Sequence, residues 1–236
     1  MSIKRFLSVI FLLCCSCGAA AQTTDPAGDF YTIQPDYRLC PAPTCGGWWL
    51  TKVNQYTVTA SDALLSGSIT PIVPSPIHVT KIDYTALRLT PSQILTFENN
   101  IRAGRAFIRG VISPYTVQTY RLNLLKATGT WRSVNDTVAS GPYMNVRSTG
   151  IVCITTPCPY YEAQLLNIGY RTLVHELNLK RAELTDRQLQ VAWNEVAGKG
   201  LVMTGLSYSS QGQTGTGLGV AATRVFFSYP GPLDGY

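Results

Sequence analysis

Apolar residues recur along this chain with two different periods, and the whole pattern occurs twice. In a first stretch Ile94, Phe97 and Ile101 fall on one side of a helix; in a second, Leu189, Ala192, Trp193 and Val196 do the same. Thr90 and Thr185 stand where each helix would begin, with Gln93 and Gln188 at the third helical position to complete capping boxes. Pro91 suits a first helical position, and Gly104 and then Gly198 or Gly200 end the helices. Shorter strand-like segments flank both. Residues 48–53 with 79–84, and 161–166 with 173–177, precede the helices; residues 106–112 with 118–125, and 201–207 with 221–228, follow them.

The motifs around these segments repeat as well. Cys40-Pro41-Ala42-Pro43-Thr44-Cys45 parallels Cys153-Ile154-Thr155-Thr156-Pro157-Cys158, and an asparagine follows nine residues after each second cysteine, at Asn54 and Asn167. The capping segments Leu89 to Ile94 and Leu184 to Leu189 lie 95 residues apart, a register that continues to Gly110 and Gly205. Further on, Tyr120-Arg121-Leu122 is matched to Thr223-Arg224-Val225. These offsets give the first copy about 18 extra residues, in the stretch with Pro71, Pro74 and Pro76, and the second about eight, around 211–217. The expected fold is α+β: two tandem copies of a ββαββ module, mostly antiparallel sheet with one helix each, over residues 30–136 and 137–236. A unit with one helix has a small core, so the copies are expected to pack on each other.

The N-terminus modifies this picture. Lys4 and Arg5, an apolar run from Phe6 to Leu13 and the small residues Ala19-Ala20-Ala21 read as a signal peptide over residues 1–21, followed by a linker over 22–29. The alternative is a lipoprotein, with the lipid on Cys15 or Cys17. The expected location is secreted or periplasmic, and under that alternative the chain is tethered to the envelope by its start. Of seven cysteines, Cys14, Cys15 and Cys17 fall in this leader, leaving Cys40, Cys45, Cys153 and Cys158. An even number in an exported chain favours disulfides, and the two equal spacings favour Cys40–Cys45 and Cys153–Cys158. Such short loops are worth about 2 kcal/mol each, so the bridges pin turns rather than hold the fold.

Charge and chemistry narrow the functions. Only 14% of residues are charged, which argues against charged catalytic or metal clusters. Without Lys4 and Arg5, 17 basic residues face 13 acidic ones, a mature net charge of +4. Between Arg102 and Arg147 seven basic residues accompany one acid, Asp136, which reads as a solvated basic face. An exported chain with no nucleic-acid-binding motif is not expected to bind nucleic acid. His175-Glu176-Leu177-Asn178-Leu179 opens like a zinc-protease helix but has Leu179 where a second histidine is required. No metal or other cofactor is expected. The nucleophile elbow G-x-S-x-G is absent, and pairing removes the thiols. The glycines from Gly212 to Gly219 precede a strand rather than a helix and read as a flexible hairpin loop. Asn135-Asp136-Thr137 is a glycosylation sequon. Trp48 and Trp49 follow the first cysteine pair and Tyr160 and Tyr161 the second, and these four are the candidate binding residues: one of each pair can enter the core while its neighbour points elsewhere.

The spacing Tyr37-x2-Cys40-x-x-Pro43-x-Cys45-Gly46-Gly47-Trp48, with Gly150-x-x-Cys153-x-x-x-Pro157-Cys158-Pro159, resembles an uncharacterised family of secreted or lipid-anchored bacterial proteins, a domain of unknown function. The resemblance covers the chain from about residue 31 onward and implies bacterial export without supplying an activity. The expected function is a non-enzymatic envelope or secreted module that binds a protein, peptide or glycan. A peptidase inhibitor presenting the clipped segment from Pro41 to Thr44 is one form of it. The alternative is a hydrolase of unfamiliar design using His78 or His175.

Overall fold

The computed structural model describes residues 27–41, 43–55 and 75–234. The leader expected over 1–21 and most of the proline-containing insertion lie outside the described residues. Among the described residues twelve strands and two α-helices follow one another in an order that repeats. β1 (Asp29–Pro35), β2 (Trp48–Lys52), β3 (Ile77–Val79), β4 (Lys81–Asp83), a 3-10 turn (Thr85–Leu87), α1 (Pro91–Arg102), β5 (Ala106–Val117) and β6 (Tyr120–Arg132) make the first half. β7 (Tyr143–Ser148), β8 (Tyr161–Leu165), β9 (Arg171–Val174), β10 (Glu176–Asn178), a 3-10 turn (Lys180–Ala182), α2 (Asp186–Ala197), β11 (Leu201–Gly212) and β12 (Gly215–Ser228) make the second.

The expected α+β arrangement of two ββαββ modules is corrected by this order. Each half places four strands before its helix, and the twelve strands join one mostly antiparallel sheet, ten of them in the order β3-β2-β1-β5-β6-β12-β11-β7-β8-β9, with β4 added beside β6 and β10 beside β12. Two physical reasons account for the difference. β1 and β7 carry interleaved polar residues, so their apolar pattern is weak even though Gly28 and Gly141-Pro142 mark their starts. The segments read as single strands over 79–84 and 173–177 each change partner midway. β3 pairs antiparallel with β2, but Thr80 donates its backbone N–H to Asn123 O, and β4 then runs parallel to β6. His175 breaks the second segment in the same way, its N–H donating to Leu218 O before β10 joins β12.

The long hairpins correct a second expectation. Val117 pairs with Tyr120 at one tip and Gly212 with Gly215 at the other, and both hairpins carry a bulge, before Gly110 and before Gly205. The 95-residue register therefore runs through both hairpins, and the second copy has no eight-residue insertion. The run from Gly215 to Gly219 is strand, not loop.

Both capping boxes form: Gln93 N–H donates to Thr90 Oγ1 at 3.3 Å and Gln188 N–H to Thr185 Oγ1 at 3.4 Å, with each glutamine side chain accepting in return. α1 buries Phe97 and Ile101 among Leu50, Val79, Ile108 and Leu125. α2 buries Ala192 and Val196 among Met144, Leu165 and Met203. A third cluster lies between the halves: Val53, Phe107, Leu166, Val202 and Phe226, with Phe30, Trp131 and Tyr143 against them. Phe107 stacks on Tyr143 at 5.1 Å with the rings 1° from parallel.

Two asparagines fasten this seam reciprocally. Asn167 Oδ1 accepts from Phe30 N–H at 2.7 Å, and its Nδ2 donates to Phe30 O and Val53 O at 2.8 and 3.0 Å. Asn54 Oδ1 accepts from Tyr143 N–H at 2.9 Å, and its Nδ2 donates to Tyr143 O and Leu166 O. Both have positive φ, 53° and 65°, a conformation asparagine tolerates better than most residues.

Candidate functional site

The β1–β2 and β7–β8 connections are the two cysteine-bounded loops, and each is closed by its own disulfide, Cys40–Cys45 with Cα atoms 5.4 Å apart and Cys153–Cys158 at 5.8 Å. The first loop rests on a buried carboxylate. Asp36 follows β1 directly, and its fully buried side chain accepts from Arg38 Nε at 2.9 Å and Nη2 at 2.8 Å, and from Trp49 Nε1 at 3.2 Å. The Arg38 guanidinium beside it holds the Asp36 carboxyl far below the usual carboxylate range. Arg38 also lies over the Trp49 ring at 4.7 Å, and the His78 ring sits 4.9 Å from Trp49. Thus Trp49 supports the loop from beneath, while Trp48, 8% exposed, is part of the first core.

The second loop is held differently. Thr149 Oγ1 donates to Pro159 O at 2.7 Å, and the β11–β12 tip reaches back to it: Gln213 N–H donates to Thr156 Oγ1 at 3.0 Å and Thr214 N–H to Thr156 O at 2.8 Å. Tyr161 packs partly buried against the second core and lies 6.3 Å from both Tyr160 and Trp193. Of the four aromatic candidates, Trp48 is buried, and Trp49, Tyr160 and Tyr161 are partly buried.

The most exposed apolar side chains of the loops are aliphatic, ahead of Tyr37 at 75%. Leu39, one residue before Cys40, is 102% exposed; Val152, its counterpart before Cys153, is 90% exposed; Ile154 within the second loop is 103% exposed. Sequence reasoning passed over these three residues because it sought aromatic side chains. It also passed over Asp36 and Arg38, whose signal is an acid and a base two apart at a strand end.

The histidines are placed apart. His78 Nε2 lies 2.7 Å from Gly46 O and 3.1 Å from Asp36 Oδ2, so this nitrogen is engaged by the loop bed. His175 Nδ1 accepts from Leu218 N–H at 3.0 Å, which puts the proton of the neutral ring on Nε2. Its ring occupies space left by Gly217, where a Cβ would come within 2.6 Å of it; likewise the Tyr208 ring lies where a Cβ on Gly219 would be, at 2.4 Å. The adjoining Glu176 carboxylate accepts from Ser210 Oγ at 2.6 Å, and its pKa is lowered by that bond and by Tyr208. Among the described residues no group of three or more His, Cys, Asp or Glu is placed to hold a metal ion. Among them, too, no helix is long and apolar enough to cross a membrane.

The model of a domain of unknown function (DUF6748) matches residues 29–231. No curated protein and no solved structure matches the chain significantly.

Proposed function

The chain belongs to the DUF6748 family, and on that premise we propose that it is an exported, non-enzymatic binding module that grips a protein or peptide through its two disulfide-clipped loops. The observation that carries this reading is the full exposure of Leu39 and Val152 at equivalent places in the two loops, with Ile154 beside the second. Aliphatic side chains held in water contribute nothing to this chain's own stability, whereas burying them against a partner gains about 25 cal/mol per Å². Closing each loop lowers the entropy lost when a partner orders it. Aliphatic tips suit a protein or peptide surface better than the polar face of a sugar. Disulfides persist outside the reducing cytoplasm, which supports export; under the lipoprotein alternative the membrane is met only by the N-terminal lipid. A hydrolase built on His78 or His175 has less support, because His78 is committed to Gly46 O and Asp36, and His175 Nδ1 to the β12 backbone.

The test uses a photoreactive residue at position 39 or 152 and, as control, at exposed Asn194 on α2. From the producing organism's envelope extract, positions 39 and 152 should trap one and the same species and position 194 should not. Leu39→Asp/Val152→Asp should abolish capture with an unchanged melting temperature. Equal capture by that folded double variant overturns the reading.

A further inference from the structure

Each half carries a groove between its helix and the preceding 3-10 turn, and the two grooves have diverged in a consistent direction. In the first, Lys81 and Arg88 stand on the rim, with Asp83 the acid among the lining residues. Beneath it Tyr84, 7% exposed, meets Phe97 edge-on at 6.2 Å. Ninety-five residues on, the rim carries Glu176 and Glu183, with Lys180 the base among the lining residues. The residues beneath are Leu179 and Ala192 in place of Tyr84 and Phe97. The charge of the rim has changed sign, and two rings under the floor have become aliphatic side chains. The cavity grows accordingly, from ≈ 310 Å³ to ≈ 520 Å³. The helix position occupied by Glu98 in α1 is Trp193 in α2, 36% exposed and walling the larger groove with Leu184 and Leu189.

Divergence between two copies of one shape separates what the fold requires from what has been added. The geometry of the turn is common to both: Arg88 and Glu183 each take the left-handed conformation, at φ 51° and 48°. The pair of glutamates, the exposed indole and the larger volume belong to the second half alone. We propose that this groove is a binding site for a peptide segment in which a large apolar side chain is flanked by Lys or Arg. The apolar side chain lies against Trp193, Leu184 and Leu189, and the flanking cation meets Glu176 and Glu183 or the face of the indole. The Glu176 carboxylate is fixed for this purpose by the Ser210 hydroxyl. None of these residues belongs to the two clipped loops, so the site is separate from the one described above.

The probe is acetyl-Arg-Leu-Arg-amide, titrated into the ¹⁵N-labelled mature chain while the amides of Leu184 and Leu189 are followed. Saturable shifts at these amides are expected, with about tenfold weaker binding of acetyl-Glu-Leu-Glu-amide. Glu183→Arg and Trp193→Glu each install the residue that the first half carries on the same backbone, so both should fold, and each should weaken the cationic probe by about tenfold. Leu39→Asp/Val152→Asp should leave the titration unchanged. Absence of saturable shifts, equal affinity for the acidic probe, or indifference to both groove substitutions overturns the proposal.

Discussion

Asn54 and Asn167 each make three hydrogen bonds to backbone groups of the opposite half while holding a left-handed conformation. Asn167→Ala removes all three at once and strips Phe30 N–H and Val53 O of this partner at a packed seam, while Phe30 O keeps the Val53 N–H. The expected loss is about 2–4 kcal/mol, read as a lower urea midpoint with an unchanged slope. Asp36 makes a prediction about pH. Its carboxyl is held far below its unfolded value near 4, mainly by Arg38, so its contribution is complete above that value and is lost only as pH falls through the lower folded value. The difference in melting temperature between the natural chain and Asp36→Asn should therefore stay constant from neutrality down to about pH 4 and narrow below it.

Strands and helices of the two halves match one another except where single residues changed the packing. In the first hairpin Ser113 lies opposite Leu124; in the second the equivalent pair is Tyr208 and Gly219, so the bulk has moved across the ladder. Gly219→Leu should cost about 1–3 kcal/mol by driving a side chain into the Tyr208 ring, and adding Tyr208→Ser should recover most of it. Thermal denaturation of the single and double variants measures both. The same exchange explains what could be read from the sequence. Helix starts were legible because Thr-x-x-Gln is a local device, and the disulfides because equal spacing leaves little choice. The partner change at Thr80 and His175 was not legible, since three-residue strands carry no period. Tyr120-Arg121-Leu122 misled, because β-strands alternate so simply that a second alignment, on Thr223-Arg224-Val225, looked equally good. In the loops the search for aromatic platforms looked past Leu39 and Val152, whose exposure depends on where the chain folds rather than on residue type.

At the scale of the molecule, β6 and β12 contact each other through only two strand pairs, Arg132 with Phe227 and Trp131 with Ser228. The seam therefore rests on the aromatic cluster around Phe107, on the crossed asparagines, which satisfy the other half's backbone and not their own, and on Tyr229, which is buried in the first core and exchanges hydrogen bonds with Thr130. The stretch joining the halves, residues 133–142, contains Val138 at 82% exposure. A single proteolytic cut there should release nothing: the two fragments should co-elute on size exclusion in native buffer and part only in denaturant, whereas separation without denaturant would show the tether to be indispensable. If they stay together, the molecule is in effect a heterodimer encoded as one polypeptide, whose subunits were freed to specialise by being unable to leave each other.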